Sequence, residues 1–189
     1  GRNLRGAFVA VTSLFFMWGF ITVLVDALIP RLKDVFELTF LQAGLVQFAW
    51  FAAYGLLSIP GGNLISKIGY QRGILVGLAT AGAGCLLFYP AAATRLYPLF
   101  LLALFVVAGG ITVLQVAANP YISVLGPEES ASARLNLSQA FNSFGTTIAP
   151  VVAASFLLGD QILSGDAIKA LGNTERQAYY AAEASAVQV

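Results

Sequence analysis

An all-α membrane protein is the fold class that this sequence predicts, and two features of its composition predict it. Hydrophobic residues make up 58% of the chain and charged residues only 10%, far below the roughly 25% charged residues of soluble domains. The charged residues also fall into clusters that are separated by long neutral runs. A soluble protein would need charges every few positions to cover its surface, so we expect the neutral runs to cross a bilayer and the clusters to form loops.

Five of the neutral runs are long enough to cross a membrane as helices. About 20 apolar residues at a 1.5 Å rise cover the roughly 30 Å hydrocarbon core, and a helix satisfies all of its own backbone groups there. The predicted spans are residues 6–25, 38–66, 73–94, 96–127 and 135–159. The first run continues past Asp26 to Pro30, which is too long for the apolar region of a cleavable signal peptide.

The rest of the chain predicts a loop and part of a sixth helix. Residues 160–176 mix Gly, Ser, Asp and Asn without periodicity, which is typical of a hydrophilic loop. Residues 177–189 are rich in Ala and weakly apolar, and we interpret them as the start of a sixth helix. Because the sequence starts without Met and stops within this segment, we expect residues 1–159 to supply helices 1 to 5 of a bundle that continues beyond it.

Composition also restricts the chemistry. The chain has no His, the commonest general base and metal ligand, so no metal or cofactor site is expected. No Ser or Cys nucleophile with a base partner stands out, which disfavours an intramembrane enzyme. The single Cys85 excludes a disulfide within the chain. The net charge of +1 argues against nucleic-acid binding, which calls for clustered Lys and Arg.

The loop between the second and third predicted spans carries a motif. Residues 62–72 resemble the conserved cytoplasmic loop of the major facilitator superfamily, in which Gly residues and basic residues have fixed spacings. The residues that fit are Gly62, Lys67, Gly69 and Arg72. Ser66 replaces the acid of that motif, and Tyr70 replaces its first base. The alternative is an ordinary tight turn with basic side chains that reach into water.

This loop matters for the orientation because counting basic residues does not settle it. A cytoplasmic amino terminus would place the Lys and Arg residues in equal numbers on the two sides of the membrane, so the positive-inside rule favours neither orientation. The resemblance of the loop to a cytoplasmic one therefore implies a cytoplasmic amino terminus.

Longer stretches resemble a narrower family. Residues 114–121 read LQVAANPY, residues 134–145 read RLNLSQAFNSFG, and the first span contains FFMWG and DALIP. These stretches are similar to the fucose:proton symporter family, and especially to its glucose/galactose transporter branch. The similarity runs in matching order across four spans, from about residue 6 to residue 159.

The resemblance implies a fold and a function. It implies the amino-terminal half of a twelve-helix fold, in a bacterial inner membrane, whose partner is the carboxy-terminal half of the same protein. It also implies secondary active transport of a hexose, coupled to H⁺ or Na⁺, by alternating access. Two alternatives keep the fold: transport of another neutral polar solute such as an amino sugar, and a sugar sensor that does not transport.

Asp26 is the predicted cation-coupling residue. It shares one helix face with Trp18 and Thr22, and a carboxylate within a span usually faces a water-filled path or a partner. The alternative is an Asp near a helix end that reaches the interface. The resembling symporters carry a Glu where this sequence has Gln115, and an amide takes up no proton. Coupling to H⁺ through Asp26 and coupling to Na⁺ both stay open.

Amide and aromatic side chains recur on the polar faces of several spans. Amides both donate and accept hydrogen bonds, which suits sugar hydroxyls, and aromatic rings stack on the apolar face of a sugar. The predicted substrate-binding residues are Trp18, Gln47, Tyr54, Gln115, Asn119, Asn136, Gln139 and Asn142. Pro120 and Pro150 each release a backbone carbonyl beside them. The alternative is that the amides hold helices together and the aromatic residues pack.

Overall fold

Helices account for almost all of the structure, a computed structural model that describes residues 4–35, 38–94, 96–157 and 170–188. The α-helices are α1 (Leu4–Val35), α2 (Phe40–Ile68), α3 (Tyr70–Thr94), α4 (Tyr97–Ser123), α5 (Ala131–Val152) and α6 (Asn173–Gln188). A 3-10 turn, Glu128–Ser130, precedes α5, and a π-helical turn, Ala153–Leu157, follows it. The prediction of an all-α fold is confirmed.

Four helices are long and apolar enough to cross a membrane: Leu4–Ala27 of α1, and the whole of α2, α3 and α4. The fifth predicted span is present as α5, but its described residues fall short of that apolar content. Polar residues such as Gln139, Asn142 and Thr146 recur along it and lower its hydropathy, and residues 158–159, its predicted end, lie outside the described residues. The fifth span is thus less apolar than α1 to α4.

Several helix bounds differ from the predicted ones. Helix α1 continues through Pro30 to Val35, ten residues past the predicted end; proline is tolerated in membrane helices because other groups satisfy the freed carbonyl. Helix α4 ends at Ser123, before the Gly126-Pro127 turn, rather than at residue 127. Helix α6 begins at Asn173, inside the predicted loop. The part of that loop at residues 160–169 lies outside the described residues.

Local chemistry explains where two of the helices begin and end. Thr39 caps the start of α2: its hydroxyl accepts from the backbone N–H of Gln42, whose side chain accepts from the backbone N–H of Thr39. At the other end of α2, Gly69 has a φ of +82°, a left-handed conformation that favours Gly. The chain therefore reverses there directly into α3, which places the loop motif at this end of the bundle.

Helix α4 is the centre of the bundle, and it is packed tightly against α3. A Cβ on Gly77 would lie 2.7 Å from the backbone N of Leu114, and one on Gly110 would lie 2.7 Å from the carbonyl O of Gly77. Both distances are too short for any real Cβ, so only glycine lets these two backbones approach so closely. In lipid there is no hydrophobic driving force between helices, so small residues promote association by letting the helix backbones approach closely.

The remaining contacts pair helices that are distant in the chain. Helix α1 packs along α5, and α2 packs along α4. Both pairs are parallel. Along α1 and α5, Thr12 lies beside Ser138 and Phe15 beside Asn142; along α2 and α4, Gln42 lies beside Tyr97 and Tyr54 beside Gln115. Apolar side chains such as Phe40, Phe48 and Leu86 are more than two-thirds exposed on the outside of the bundle, where lipid would cover them. Polar residues of α1, α2, α4 and α5 are thereby brought together on another face.

Candidate functional site

Asp26 is linked to the neighbouring helix by an amide. The side chain of Asp26 is exposed, and Nε2 of Gln47 on α2 donates to its Oδ1 across 3.3 Å. Trp18 and Thr22, which share a helix face with Asp26, make other contacts. The Thr22 hydroxyl donates to the carbonyl of Trp18 in its own helix, at 2.8 Å. Trp18 is only 9% exposed, and its ring packs 4.5 Å from that of Phe15.

Gln115 and Tyr54 form a second polar link, between α4 and α2. Nε2 of Gln115 donates to the Tyr54 hydroxyl oxygen at 2.6 Å, and both side chains are half-buried. The phenolic O–H is left as a donor, and Oε1 of Gln115 as an acceptor. Trp50, beside Tyr54 with ring centroids 6.4 Å apart, is buried and belongs to the core. Of these two aromatic residues, Tyr54 is the more accessible.

A third polar link joins α4 to α5. Nε2 of Gln139 lies 3.4 Å from Oδ1 of Asn119, a long and weak hydrogen bond. Gln139 is exposed, and so is Asn136, which lies three residues before it on the same helix face. These amides are accessible to a solute that approaches α5, and they have donor and acceptor atoms to spare.

Asn142 lies deeper and helps to hold α1 against α5. Its Nδ2 donates to the carbonyl O of Phe15 at 2.9 Å. A Cβ on Gly19 would come within 2.6 Å of that same Nδ2, so a glycine is required where α5 crosses α1. One turn away, the hydroxyls of Thr12 and Ser138 are 3.1 Å apart and buried. Asn142 therefore has a packing role, while its Oδ1 remains a possible acceptor.

The loop motif lies at the end of the bundle where α2 meets α3. Lys67 and Arg72 are exposed, and a Cβ on Gly62 would lie 4.0 Å from Val116 of α4, ordinary contact distance. Ser66, which stands in the acid position, donates its hydroxyl to the carbonyl of Asn63 in its own helix, at 2.8 Å. It is thus turned back toward its own helix.

A cavity of about 520 Å³ opens beside this loop. The side chain of Gln71 donates to the Tyr121 hydroxyl at 2.7 Å, and the rings of Tyr70 and Tyr121 are 6.0 Å apart. These three residues fasten the loop to the end of α4. Sequence reasoning missed this arrangement, because nothing in the spacing of Gln71 and Tyr121 signals that they meet.

Sequence reasoning also missed Arg134, which fastens α5 to the end of α4. Its guanidinium donates to the carbonyls of Ile122, Ser123 and Pro127, and to the Ser130 hydroxyl. The last carbonyls of a helix lack partners within the helix and carry partial negative charge. A cation at the start of the next span was a signal that could have indicated this role.

The arrangement as a whole offers hydrogen-bonding groups and one carboxylate, rather than a metal centre. The described residues contain no group of three or more His, Cys, Asp or Glu side chains that could hold a metal ion. What the polar face does offer is a row of amides on α2, α4 and α5, a phenol, and the carboxylate of Asp26. Such a face can bind hydroxyl groups and one small cation.

Residues 7–161 match the model of the Major Facilitator Superfamily. The chain is 57% identical over 157 residues to the glucose/galactose transporter of Brucella abortus biovar 1 (strain 9-941), covering 83% of this chain and 38% of that protein. It is 46% identical over 153 residues to the L-fucose-proton symporter of Escherichia coli (strain K12), covering 81% and 35%. The chain thus spans little more than a third of the length of these relatives.

Solved structures agree with this match. A crystal structure of FucP, described as a Major Facilitator Superfamily transporter in the outward conformation, superimposes with a TM-score of 0.87 at 41% identity. It covers 99% of this chain and 45% of the solved one. A variant of the Escherichia coli fucose:proton symporter superimposes with a TM-score of 0.86 at 39% identity, covering 100% and 45%. The chain is a multi-pass integral membrane protein, and it belongs to the Major Facilitator Superfamily.

Proposed function

We propose that this chain is the amino-terminal helix bundle of a hexose:cation symporter. The observation that carries the proposal is the polar face, where α1, α2, α4 and α5 bring Asp26 together with amide side chains in an otherwise apolar bundle. The names of the relatives, a glucose/galactose transporter and an L-fucose-proton symporter, support a sugar as the cargo. Below, "the complete transporter" means this chain joined to a second, carboxy-terminal bundle.

The amides and Tyr54 are the proposed sugar ligands. A neutral sugar presents hydroxyls that both donate and accept, and so do the amides of Gln115, Asn119 and Gln139. Gln139 and Asn119 share one long hydrogen bond, and Gln115 makes a single hydrogen bond to Tyr54. Both can be exchanged for hydrogen bonds to a sugar at little cost. Asn136 extends the row on α5. Asn142 contributes its Oδ1, and Trp18, which is 9% exposed, is proposed to contact the apolar face of the sugar.

Asp26 is the proposed coupling residue, and H⁺ the proposed cation. The relative from Escherichia coli is named a proton symporter, and a single carboxylate binds one proton without further ligands. Na⁺ would need several oxygen ligands around Asp26, which carbonyls and amides would have to supply. In the proposed cycle the two bundles rock against each other, so the sugar and the cation cross together by alternating access.

The proposed orientation places the amino terminus in the cytoplasm of a bacterium, with the chain in the inner membrane. Lys67 and Arg72 are exposed at one end of the bundle. The amino-terminal end of α1 lies at that same end, because Leu4 and Arg72 line one cavity. Lys67 and Arg72 belong to the loop motif that resembles a cytoplasmic loop, and this resemblance supports the cytoplasmic side for that end of the bundle.

Uptake into sealed proteoliposomes tests the proposal. The complete transporter should concentrate labelled glucose, galactose or fucose when an inward H⁺ gradient is imposed, and unlabelled competitors should rank the sugars. Accumulation driven by a Na⁺ gradient alone would identify Na⁺ rather than H⁺ as the coupling cation. Preference for an amino sugar would identify that solute as the cargo, and sugar binding without flux would indicate a sensor. Failure to bind or move any sugar would contradict the proposal.

The isolated chain should insert into membranes but should not transport. Substrate sites in such folds lie between two repeats that move against each other, so one bundle has no second wall to close the site. The measurement is hexose accumulation by liposomes containing only this chain, with the complete transporter as the control. Accumulation by the chain alone would contradict the two-bundle proposal.

A further inference from the structure

The described helices form two groups that are tight within themselves and loosely joined. Helices α1 and α5 form one group, held by close backbone approach at Gly19 and Gly145. Helices α2, α3 and α4 form the other: Gly77, Gly84 and Gly110 bring the backbones of α3 and α4 together, and α2 packs along α4. Helices α1 and α2 follow each other in the chain, yet they touch at few places.

Polar side chains bridge the seam between these groups. The hydrogen bond from Gln47 to Asp26 joins α2 to α1, and the hydrogen bond from Gln139 to Asn119 joins α5 to α4. Both bridges involve residues of the polar face, so whatever binds there acts on the seam as well. Of these two bridges only the first includes a charge; the charged Arg134 also joins α5 to α4, but it contacts main-chain carbonyls at the end of α4.

Gln47 is held in place by its own helix rather than by Asp26. Its neighbours in α2, Val46 and Trp50, are 1% and 5% exposed in the core, whereas Phe48 points outward and is 68% exposed. This packing fixes the rotation of α2 and so presents the Gln47 amide toward α1. Asp26, in contrast, is exposed and lies at the far end of the apolar span of α1. The amide is therefore the fixed partner of the two.

We infer that Gln47 is a positioning residue for Asp26: its amide holds the carboxylate at the seam between α1–α5 and α2–α3–α4. This inference rests on the proposed function of Asp26. An amide N–H donates a stronger bond to an ionised carboxylate than to a neutral one. A cation that binds to Asp26 therefore weakens the hydrogen bond from Gln47. Cation binding thus weakens the connection between the two helix groups. Gln47 thus acts through Asp26 and is not primarily a sugar ligand.

The two roles for Gln47 predict different transport defects. A sugar ligand, when removed, raises the half-saturating sugar concentration for exchange but leaves the coupling to the cation intact. A positioning residue, when removed, lowers accumulation relative to exchange and leaves the half-saturating concentration unchanged. The ratio of accumulation to exchange is also insensitive to a mere loss of folded protein, because both rates scale with it.

The experiment compares Gln47→Met with wild type in the complete transporter reconstituted in liposomes. Met has a similar length and no N–H to donate. Accumulation relative to exchange should fall about two- to tenfold, the factor that one net hydrogen bond contributes, at unchanged half-saturation. Phe48→Leu, one residue along α2, is the matched control and should behave as wild type. An unchanged ratio, or a raised half-saturation alone, would overturn the inference.

A second variant exchanges the two partners. Asp26→Asn combined with Gln47→Glu returns an amide–carboxylate pair to the seam with the carboxylate on α2. The inference predicts more accumulation than Asp26→Asn alone, and equality with that single variant would overturn it. This comparison also tests the positioning role of Gln47 if the Gln47→Met variant folds poorly. Absence of sugar accumulation by the wild-type transporter would instead refute the proposed function, so the two failures are distinguishable.

Discussion

The α3–α4 interface and the polar face of α1, α2, α4 and α5 share helix α4 but are built from opposite kinds of residue. Toward α3, α4 presents Gly110 and neighbouring small residues so close to the other backbone that no Cβ fits. Toward α2 and α5 it presents Gln115 and Asn119, whose amides each pair with one side chain. The same helix is thus a rigid support on one side and the proposed binding surface on the other.

This difference indicates where the bundle can change and where it cannot. Close backbone contact in lipid tolerates little displacement, because a gap of about 0.5–1 Å forfeits roughly a quarter to a half of the dispersion energy. Hydrogen bonds between polar side chains in membranes contribute only about 0.6 kcal/mol on average. They can therefore be replaced by bonds to a ligand. Substitutions on the two sides of α4 should have separable effects, on folding in one case and on ligands in the other.

The largest expected effect is on the glycine side. Gly110→Ala places a Cβ where the backbone of Ala81 already lies, with the carbonyl of Gly77 at 2.7 Å. Backbone cannot move aside as a flexible side chain can, so we expect a loss of about 1–3 kcal/mol in stability, as for overpacked cores. Thermal denaturation in detergent measures it. Gly82→Ala in α3, which would meet nothing within 4 Å, is the control, and equal stability of the two variants would contradict the account of this interface.

A smaller effect is expected on the polar side, and there two amides of α5 should behave differently. Gln139→Ala leaves a sugar hydroxyl without its partner, which costs roughly 1 to 3 kcal/mol, or about a five- to hundredfold loss of hexose binding. Its folding should not suffer, because Gln139 is exposed. Asn142→Ala also removes the bond to Phe15, so it should lower both binding and stability.

Equilibrium binding of labelled hexose and thermal denaturation of the same preparations separate these cases. Phe141→Leu, an exposed neighbour on α5, is the control. Unchanged hexose binding by Gln139→Ala would indicate that the amides of α5 only hold helices together.

The smallest expected effect concerns Gln115. Gln115→Glu keeps a partner for Tyr54, since a carboxylate accepts from the phenol to which the amide now donates. It also adds a second carboxyl group to the polar face. Uptake should therefore depend more strongly on pH than in wild type, whereas Gln115→Met should not add such a dependence. Uptake rates across a pH series are the measurement, and identical profiles for wild type and Gln115→Glu would contradict the prediction.

Spacing in the sequence predicted the helices and their polar faces, but not which residues meet. Long neutral runs located α1 to α4, and the three- and four-residue spacings placed Asn136, Gln139 and Asn142 on one face. Periodicity assigns a residue to a face and says nothing about its partner. The pairs Asn142–Phe15 and Gln115–Tyr54 depend on α1 and α5, and α2 and α4, packing as parallel neighbours although they are distant in the chain. The three-carbonyl contact of Arg134 joins residues that are close in the chain, and the cation that follows the end of α4 was the signal for it.

The central claim is that Asp26 on the polar face couples sugar movement to the cation. Asp26→Asn removes the charge and nearly preserves the shape and hydrogen-bonding capacity of the side chain. In liposomes containing the complete transporter, this variant should lose accumulation of hexose driven by the cation gradient. It should still exchange internal for external hexose, because exchange does not need the cation to be released. Accumulation by Asp26→Asn at the wild-type level would contradict the claim and place the coupling residue elsewhere.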